Sequence, residues 1–289
     1  MRVLVTGVTG YLGSHLATEL LKEGHEVIAL KRKLSPLNRI QAILPKLVLH
    51  NLEETNLAEL FAGFEKFDAV IHTSTCYGRN GESISQIAEA NLVFPLEILE
   101  AAAFGHVGVF INTDTALDKH LNPYAFSKAQ FLEWGKYFSE QEKIRFINLR
   151  LEHFYGAGDD SSKFTTHVIN SCLANVAELN LTLGEQRRDF IHIDDVLSAY
   201  LLLLNKRDAF VDWFIEIAVG SGVAVTIRQF VETVHNLTAS TTRLNFGAMP
   251  YRAGESMLSQ ANVSALQALG WHCSHDLVQG LQFTIKGSN

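Results

Sequence analysis

A β-branched run that breaks into three evenly spaced glycines constrains this chain more than any other feature. Val3-Leu4-Val5-Thr6 leads into Gly7, and Gly10 and Gly13 follow before the apolar helical stripe Leu12, Leu16, Leu20 and Leu21 is complete. A strand that turns into a helix through such residues brings backbone very close to backbone. The first glycine permits the tight turn, the second admits a pyrophosphate against the main chain, and the third lets helix pack on strand. The helix N-terminus then offers N–H groups and the positive end of its dipole to an anion. The GxxGxxG spacing differs from the GxGxxG of dehydrogenases, and a turn serving only compactness is the competing explanation. On the phosphate reading, Gly7, Thr9, Gly10, Tyr11, Leu12 and Gly13 form the cradle.

Further runs read as strands buried on both faces at 26–30, 46–50, 69–72, 107–112 and 145–149, with the first at 2–6. Helical periodicity fills the gaps, and Gly24 stands where a helix ends in a C′ glycine. This alternation predicts an α/β fold, a Rossmann-type doubly wound parallel sheet. It fades after about residue 160. There the pattern predicts a helix from Asp194/Asp195 through 196–204, with acidic residues at its positive end. A strand over 213–218 follows. Thr226-Ile227-Arg228-Gln229 matches a capping box opening a helix to Leu237, and another helix ends at Gly270. These elements predict a smaller C-terminal lobe, interleaved with the first.

Composition excludes several classes. With 47% hydrophobic residues, 5 Pro and 20 Gly in 289 residues, the chain is neither disordered nor collagen-like. Its 24 Lys+Arg against 31 Asp+Glu give −7 with no long basic run, so no nucleic-acid partner is expected. Cys76, Cys172 and Cys273 are widely spaced, which fits a reducing cytosol better than a disulfide framework. No signal-peptide pattern is visible, and the longest apolar run, 196–204, falls short of the roughly 20 residues a bilayer requires. A soluble, cytoplasmic protein without a membrane partner is the expectation.

Two local patterns carry chemistry. An NAD site usually places Asp or Glu at the end of the second strand to hold the ribose 2′-hydroxyl. Here the strand ends in Lys31-Arg32-Lys33. Cations there suit a 2′-phosphate, so NADP(H) is the expected cofactor, with a solvated basic loop as the alternative. Downstream, Tyr124-Ala125-Phe126-Ser127-Lys128 opens a helix near Pro123. Positions i and i+4 share a face, so the ammonium is expected beside the phenol, drawing its acidity toward working pH. Such a Tyr gives or takes a proton at a substrate oxygen.

At Phe110-Ile111-Asn112-Thr113-Asp114-Thr115 the chain resembles the extended short-chain dehydrogenase/reductases, a family of nucleotide-sugar epimerases, dehydratases and reductases. The resemblance spans nearly the whole chain, through TGVTGYLG, the Ser/Thr cluster after the fifth strand, YAFSK, LRLEHFYGAG, RRDFIHIDDV and the late LGW. It implies Tyr124 as acid/base, Lys128 as the group that binds the ribose and lowers the Tyr pKa, and Thr113 as hydrogen-bond partner of the reacting oxygen. It also implies Asn51 and Leu52 at the adenine and Leu151 at the nicotinamide amide. Arg188 would meet the substrate diphosphate, and Asp114, His153 and Arg252 would touch the substrate. His153 stands where many members have Asn. The 4,6-dehydratases carry Thr-Asp-Glu after the fifth strand. Here the third position is Thr115, which cannot act as that base, so dehydration is disfavoured.

The stretch FINTDTALDKHLNPYAFSKAQFLEWGK is most similar to reductases that make CDP-linked 3,6-dideoxyhexoses. The implied activity is NADPH-dependent reduction of the 4-keto group of a nucleotide-linked hexos-4-ulose. A 4-epimerase keeping NAD bound, and a non-catalytic NADP-sensing regulator, are the rivals. The implied domains are an NADP-binding domain over 1–162 and 189–218 and a nucleotide-sugar lobe over 163–188 and 219–289. No metal site is expected, because His272-Cys273-x-His275 has no matching partner pair elsewhere in the sequence. His192 reads as a structural residue at a helix start. Phe131, Trp134, Tyr137 and Phe138 fall at helical spacing, which favours packing in the core or in a homodimer.

Overall fold

A computed structural model describes residues 1–252 and 254–288. In chain order its elements begin β1 (Arg2–Thr6), α1 (Tyr11–Lys22), β2 (Glu26–Lys31), β3 (Val48–Asn51), α2 (Leu57–Ala62), β4 (Ala69–His72), α3 (Ile84–Ala88) and α4 (Phe94–Phe104). There follow β5 (Val109–Thr115), α5 (Pro123–Glu140), β6 (Arg145–Leu151), β7 (His153–Tyr155), α6 (Phe164–Leu173), β8 (Glu178–Leu181), β9 (Arg187–His192) and α7 (Ile193–Asn205). The chain ends with β10 (Phe214–Val219), β11 (Ala224–Thr226), α8 (Ile227–Leu237), β12 (Arg243–Phe246), β13 (Leu258–Ser259), α9 (Ser264–Ala268) and α10 (Leu277–Ser288). Two compact units result: Met1–Arg150 with Tyr200–Ile217, and Leu151–Ala199 with Ala218–Asn289.

The first unit is built on a seven-stranded sheet in the order β10-β6-β5-β4-β1-β2-β3. β1 pairs in parallel with both β2 and β4, β2 with β3, and β4 with β5. The run 3-2-1-4-5-6 is that of doubly wound dinucleotide folds, whose ligands sit at the carboxyl ends of the strands. Both faces are covered, as the unbroken apolar strands require. Leu4, Ile28, Val70, Phe110 and Phe146 join one core cluster with residues of α2, α4 and α5. The alternate positions Val3, Val5, Val27, Ile71 and Ile111 are equally buried, and α1 packs against β1 and β2 through Leu12, Leu16 and Leu20. Phe110 stacks on Phe146 at 5.5 Å, and Phe131 of α5 meets both rings edge-on. That aromatic knot seats α5 on the sheet.

β3 and β5 start two residues later than the sequence implies, β6 runs two residues longer, to Leu151, β2 ends one residue later and β10 shifts by one. Lys46 belongs to a 3₁₀ turn closed by its own N–H on Ile43, which delays β3 to Val48. β5 begins two residues late, because the Val107 N–H caps α4 at the Ala102 carbonyl. It also runs on through Thr115. Asn112 donates to Asn148 of β6 at 2.8 Å, and Asn148 donates to Asp114 at 2.9 Å, so polar residues continue the strand.

In the second unit β9 is the hub. It pairs antiparallel with β11 and parallel with β13 and β7, while β8 and β12 form a separate parallel pair. Phe190 of β9 stacks on Phe230 of α8 at 4.2 Å inside a cluster that includes Val168, Leu181 and Val234. The expected capping box at the start of α8 is present, with Thr226 and Gln229 bonded reciprocally.

Asp189, wholly buried in β9, organises the turn after β10. Its carboxylate accepts from Ser221 N and Oγ at 2.7 and 2.6 Å, Gly222 N at 2.9 Å and Ala261 N at 3.1 Å. Asp189→Ala leaves these donors without their acceptor, and each buried orphan costs about 1–3 kcal/mol. A loss of about 3 kcal/mol in urea unfolding is expected, with a smaller loss for Asp189→Asn; a loss under about 1 kcal/mol in Asp189→Ala would contradict this account of the turn.

Candidate active site

The glycine turn has the geometry its spacing implies. Gly7 sits at φ +70°, and a Cβ there would fall 2.7 Å from the Ser74 nitrogen, so only glycine fits. A Cβ on Gly13 would collide with the Gly7 carbonyl, which is the close approach of α1 to β1. Gly10 is the N-cap of α1; it supplies no side-chain cap, and the first turn holds no acidic residue. The side chains of Tyr11 and Leu12 are buried and anchor the helix start, with the Arg39 guanidinium 5.4 Å from the centre of the Tyr11 ring. Thr9 is half-buried beside them. An uncapped helix start without a carboxylate fits a dinucleotide diphosphate.

The basic turn after β2 is less open than its sequence implies. The Lys31 ammonium is buried and donates to the carbonyls of Arg32 and Lys33 and to Asn51 Oδ1 at 2.9 Å. Lys33 pairs with Glu54 at 2.5 Å, and its N–H donates to Glu53 at 2.8 Å. The carboxylates missing from the end of β2 thus arrive from the end of β3. The Arg32 side chain is exposed and makes no hydrogen bond or ion pair among the described residues, although its charge reaches Glu53. Asn51 also donates to Glu54 at 2.8 Å, and Leu52 turns into the core.

β5 and α5 bring the proton chemistry together. Pro123 lies in the first turn of α5, and Asn122 caps it by accepting from the Ala125 N–H at 2.9 Å. One turn on, Lys128 is 1% exposed and donates to the Thr113 carbonyl at 2.8 Å. Burial pulls its pKa down to about 8, against the opposing charge of Asp114. Tyr124 moves the other way: burial pushes its phenol well above the usual value, and Tyr77 and Asp114 add to the shift. A hydrogen bond with the Thr115 side chain and the charge of Arg79 oppose it. The expected lowering of the Tyr124 pKa by Lys128 is therefore corrected. The ammonium shares its helix face but is tied back to β5, and the phenol is held protonated.

The two strand-end hydroxyls have different partners. Thr113 Oγ1 lies 2.6 Å from the Tyr200 hydroxyl of α7, so its polar atom is engaged there. The hydroxyl on Tyr124 belongs to Thr115, which also accepts from the Leu117 N–H at 3.2 Å. Asp114 is nearly buried and accepts from Asn148 and from the Thr115 N–H at 2.7 Å. It also lines a cavity of about 450 Å³ with Thr115, Phe126, Arg150 and Glu216, a cavity that Tyr124 and Lys128 do not line.

Tyr77 and Arg79 are further members that the sequence reading missed. The Tyr77 ring lies 4.9 Å from that of Tyr124, and Arg79 sits 4.6 Å over Tyr77. Buried Asn91 in a π-turn fixes the loop that carries them, accepting from the Cys76 N–H at 2.7 Å and donating to the Cys76 carbonyl and Ser127. A π-turn in such a place is a common mark of a functional site.

The second unit holds the remaining candidates. Leu151 closes β6 and is buried. His153 packs edge-on against Phe190; its buried Nδ1 has no hydrogen-bond partner among the described residues and lies 3.5 Å from the Glu152 carboxylate, which accepts from Ser259. Arg188 is buried and pairs with Glu255 and the Arg187 carbonyl, whereas Arg252 is exposed.

Comparison with known proteins places this arrangement. Residues 3–218 match the model of the NAD dependent epimerase/dehydratase family. The chain belongs to that family. A CDP-abequose synthase of Salmonella muenchen is 34% identical over 288 residues, spanning 97% of this chain and 96% of that protein. A dTDP-6-deoxy-L-talose 4-dehydrogenase (NAD(P)(+)) of Kitasatospora kifunensis is 28% identical, covering 93% and 90%. The fold is that of a Thermotoga maritima UDP-glucose 4-epimerase with UDP-glucose, with a TM-score of 0.85 at 20% identity over 99% of this chain and 98% of that one. The family's dinucleotide is one that the glycine turn and uncapped α1 fit. Among the described residues no helix is long and apolar enough to cross a membrane.

Lys128 offers a direct check on this electrostatic picture. Its ammonium should titrate with a midpoint near 8, while exposed lysines keep values near 10.4. Asp114→Asn removes a charge that favours the ammonium, so the midpoint should fall further. A midpoint near 10 in heteronuclear NMR, or a rise in Asp114→Asn, would contradict it.

Proposed function

We propose that this chain reduces the 4-keto group of a nucleotide-linked hexos-4-ulose, with NADPH as reductant and a CDP-linked 3,6-dideoxyhexose as product. The observation that carries this reading is the half-buried Tyr124 phenol, one turn before Lys128 on α5 and 4.9 Å from the Tyr77 ring, whose pKa desolvation pushes up against a hydrogen bond from Thr115. A reduction needs a proton donor at the new alkoxide, and a phenol held neutral by burial is in the right state to serve. The full-length likeness to CDP-abequose synthase, and the dehydrogenase relative named for position 4, support the substrate class.

Bound NADPH supplies a hydride to the carbonyl carbon. Tyr124 donates its proton to the carbonyl oxygen. Thr115, with one lone pair taken by the Leu117 N–H, has its own O–H available for that oxygen or for the phenolate left behind. Lys128 holds the ribose and, fixed on the Thr113 carbonyl, keeps α5 in register with β5. We assign the dinucleotide to the first unit, with its adenine near Asn51 and Leu52, and nucleotide-sugar recognition to the second. Arg32, the one cation of its turn whose side chain makes no hydrogen bond or ion pair among the described residues, receives the 2′-phosphate. Arg188 exchanges Glu255 for the substrate diphosphate. Leu151 offers its backbone to the nicotinamide amide, and Asp114, His153 and Arg252 contact the sugar nucleotide.

The test is incubation of CDP-4-keto-3,6-dideoxyglucose with NADPH, followed by mass analysis of the product. One NADPH should be lost per product gaining two hydrogens, with NADH a poorer donor and the preference narrowed in Arg32→Ala. No reduction of the keto-sugar, with interconversion of the C4 epimers of a CDP-hexose that carries a C4 hydroxyl and no net loss of dinucleotide, would favour the 4-epimerase instead. Tyr124→Phe should lower kcat at least about 10²-fold with NADPH affinity nearly unchanged. Thr115→Val should lose more rate than Thr113→Val, since Thr115 hydrogen-bonds the phenol while the Thr113 hydroxyl is taken by Tyr200. The reverse order would return the polarising role to Thr113. Full activity in Tyr124→Phe would overturn the chemistry.

A further inference from the structure

His275, from the segment His272-Cys273-x-His275, acquires its partners only in the fold. β9 ends at His192, α7 begins one residue later, and the segment before α10 returns His275 to that junction, with the two imidazole rings 4.9 Å apart. One ligand atom each from His192, Asp194 and His275 lie within 4.8 Å of one another. All three residues belong to the second unit.

We propose that these three side chains form a binding site for a zinc-type divalent cation, independent of the proposed reaction. The donor set is two imidazole nitrogens and one carboxylate oxygen, which suits Zn²⁺ and its borderline neighbours and not Mg²⁺ or Ca²⁺. Bonds of about 2.0–2.2 Å in a tetrahedron put neighbouring ligand atoms roughly 3.4 Å apart. His192 Nδ1 and Asp194 Oδ2 already stand at 3.4 Å.

His275 has the surroundings a metal-bound histidine needs, whereas His192 Nδ1 accepts from the Asp194 N–H at 3.4 Å, a bond that a cation would replace. The side chain of Asp195 is 2% exposed and lies 2.9 Å from His275 Nδ1, which makes Nε2 the nitrogen that can ligate. A carboxylate on the far nitrogen fixes the tautomer and raises the basicity of the ligating one. The same carboxylate accepts from the N–H groups of Ser274 and His275, so the segment is held even before a cation arrives. The Tyr155 ring stands edge-on to His192 at 5.7 Å and closes one side. Asp194 is 59% exposed and leaves a route in for the ion. A bound cation would pin the segment before α10 to the start of α7, with water in the fourth position.

The test uses the full chain, stripped with a chelator, and Zn²⁺ as probe in competition with a chromophoric chelator. One Zn²⁺ per chain is expected, with a rise in Tm that the chelator reverses and that Mg²⁺ does not produce. His275→Gln should weaken binding at least about tenfold, and Asp194→Asn should also weaken it. Both positions are partly or largely exposed, so folding is checked by the metal-free Tm of each variant. His272→Gln and Cys273→Ser should bind as the parent does. Co²⁺ should give visible d–d bands without thiolate charge transfer. Binding that survives His275→Gln and Asp194→Asn unchanged, or vanishes in Cys273→Ser, or is absent in the parent, overturns the site.

Discussion

A buried ammonium bonded to a strand carbonyl is the contact on which the candidate active site depends. Lys128 lies deep in the first unit and donates to the Thr113 carbonyl at 2.8 Å. Burial disfavours its charge, and the nearby Asp114 carboxylate favours it, leaving the pKa at about 8. Removing the lysine takes away the hydrogen bond that locks the second turn of α5 to the end of β5. Tyr124, one turn earlier, owes its position to the same contact. The polar chain Asn112–Asn148–Asp114 holds β5 and β6 together behind it, so a strand end that sequence treats as a loop is rigid.

That rigidity separates what was legible in the sequence from what was not. The glycine turn, the alternation of strands and helices in the first unit and the Tyr124/Lys128 spacing rest on local rules, and the fold carries them. The choice between Thr113 and Thr115 does not. The two lie two apart on one strand and so share a face. Which one meets the phenol depends on Tyr200, which comes from α7 and takes the Thr113 hydroxyl. Likewise the end of β2 reads as three open cations. Glu53 and Glu54, some twenty residues on, engage Lys33, the Lys31 ammonium is tied to backbone carbonyls and Asn51, and among the described residues the Arg32 side chain alone of the three makes no hydrogen bond or ion pair. In both places side chains distant in sequence decide which groups are engaged.

The second unit shows the same limit more strongly. Its short strands converge on β9, whose partners β7, β11 and β13 come from three separate stretches. Asp189 satisfies the backbone of a turn more than thirty residues later. His275 reaches the end of the same strand, so a motif without a partner in the sequence acquires two in space. Periodicity has little to grip in such short elements, and a motif scan along the chain does not see their convergence.

The direction of the proposed chemistry is tested most directly by following the hydride itself. NADPH carrying deuterium on the transferred face of C4 is incubated with the keto-sugar nucleotide, and the product is read by NMR. The account predicts one deuterium at the hexose carbon that carried the keto group, in amount equal to the NADP⁺ formed. A product formed without deuterium at that carbon, or deuterium retained in the nucleotide, would contradict it.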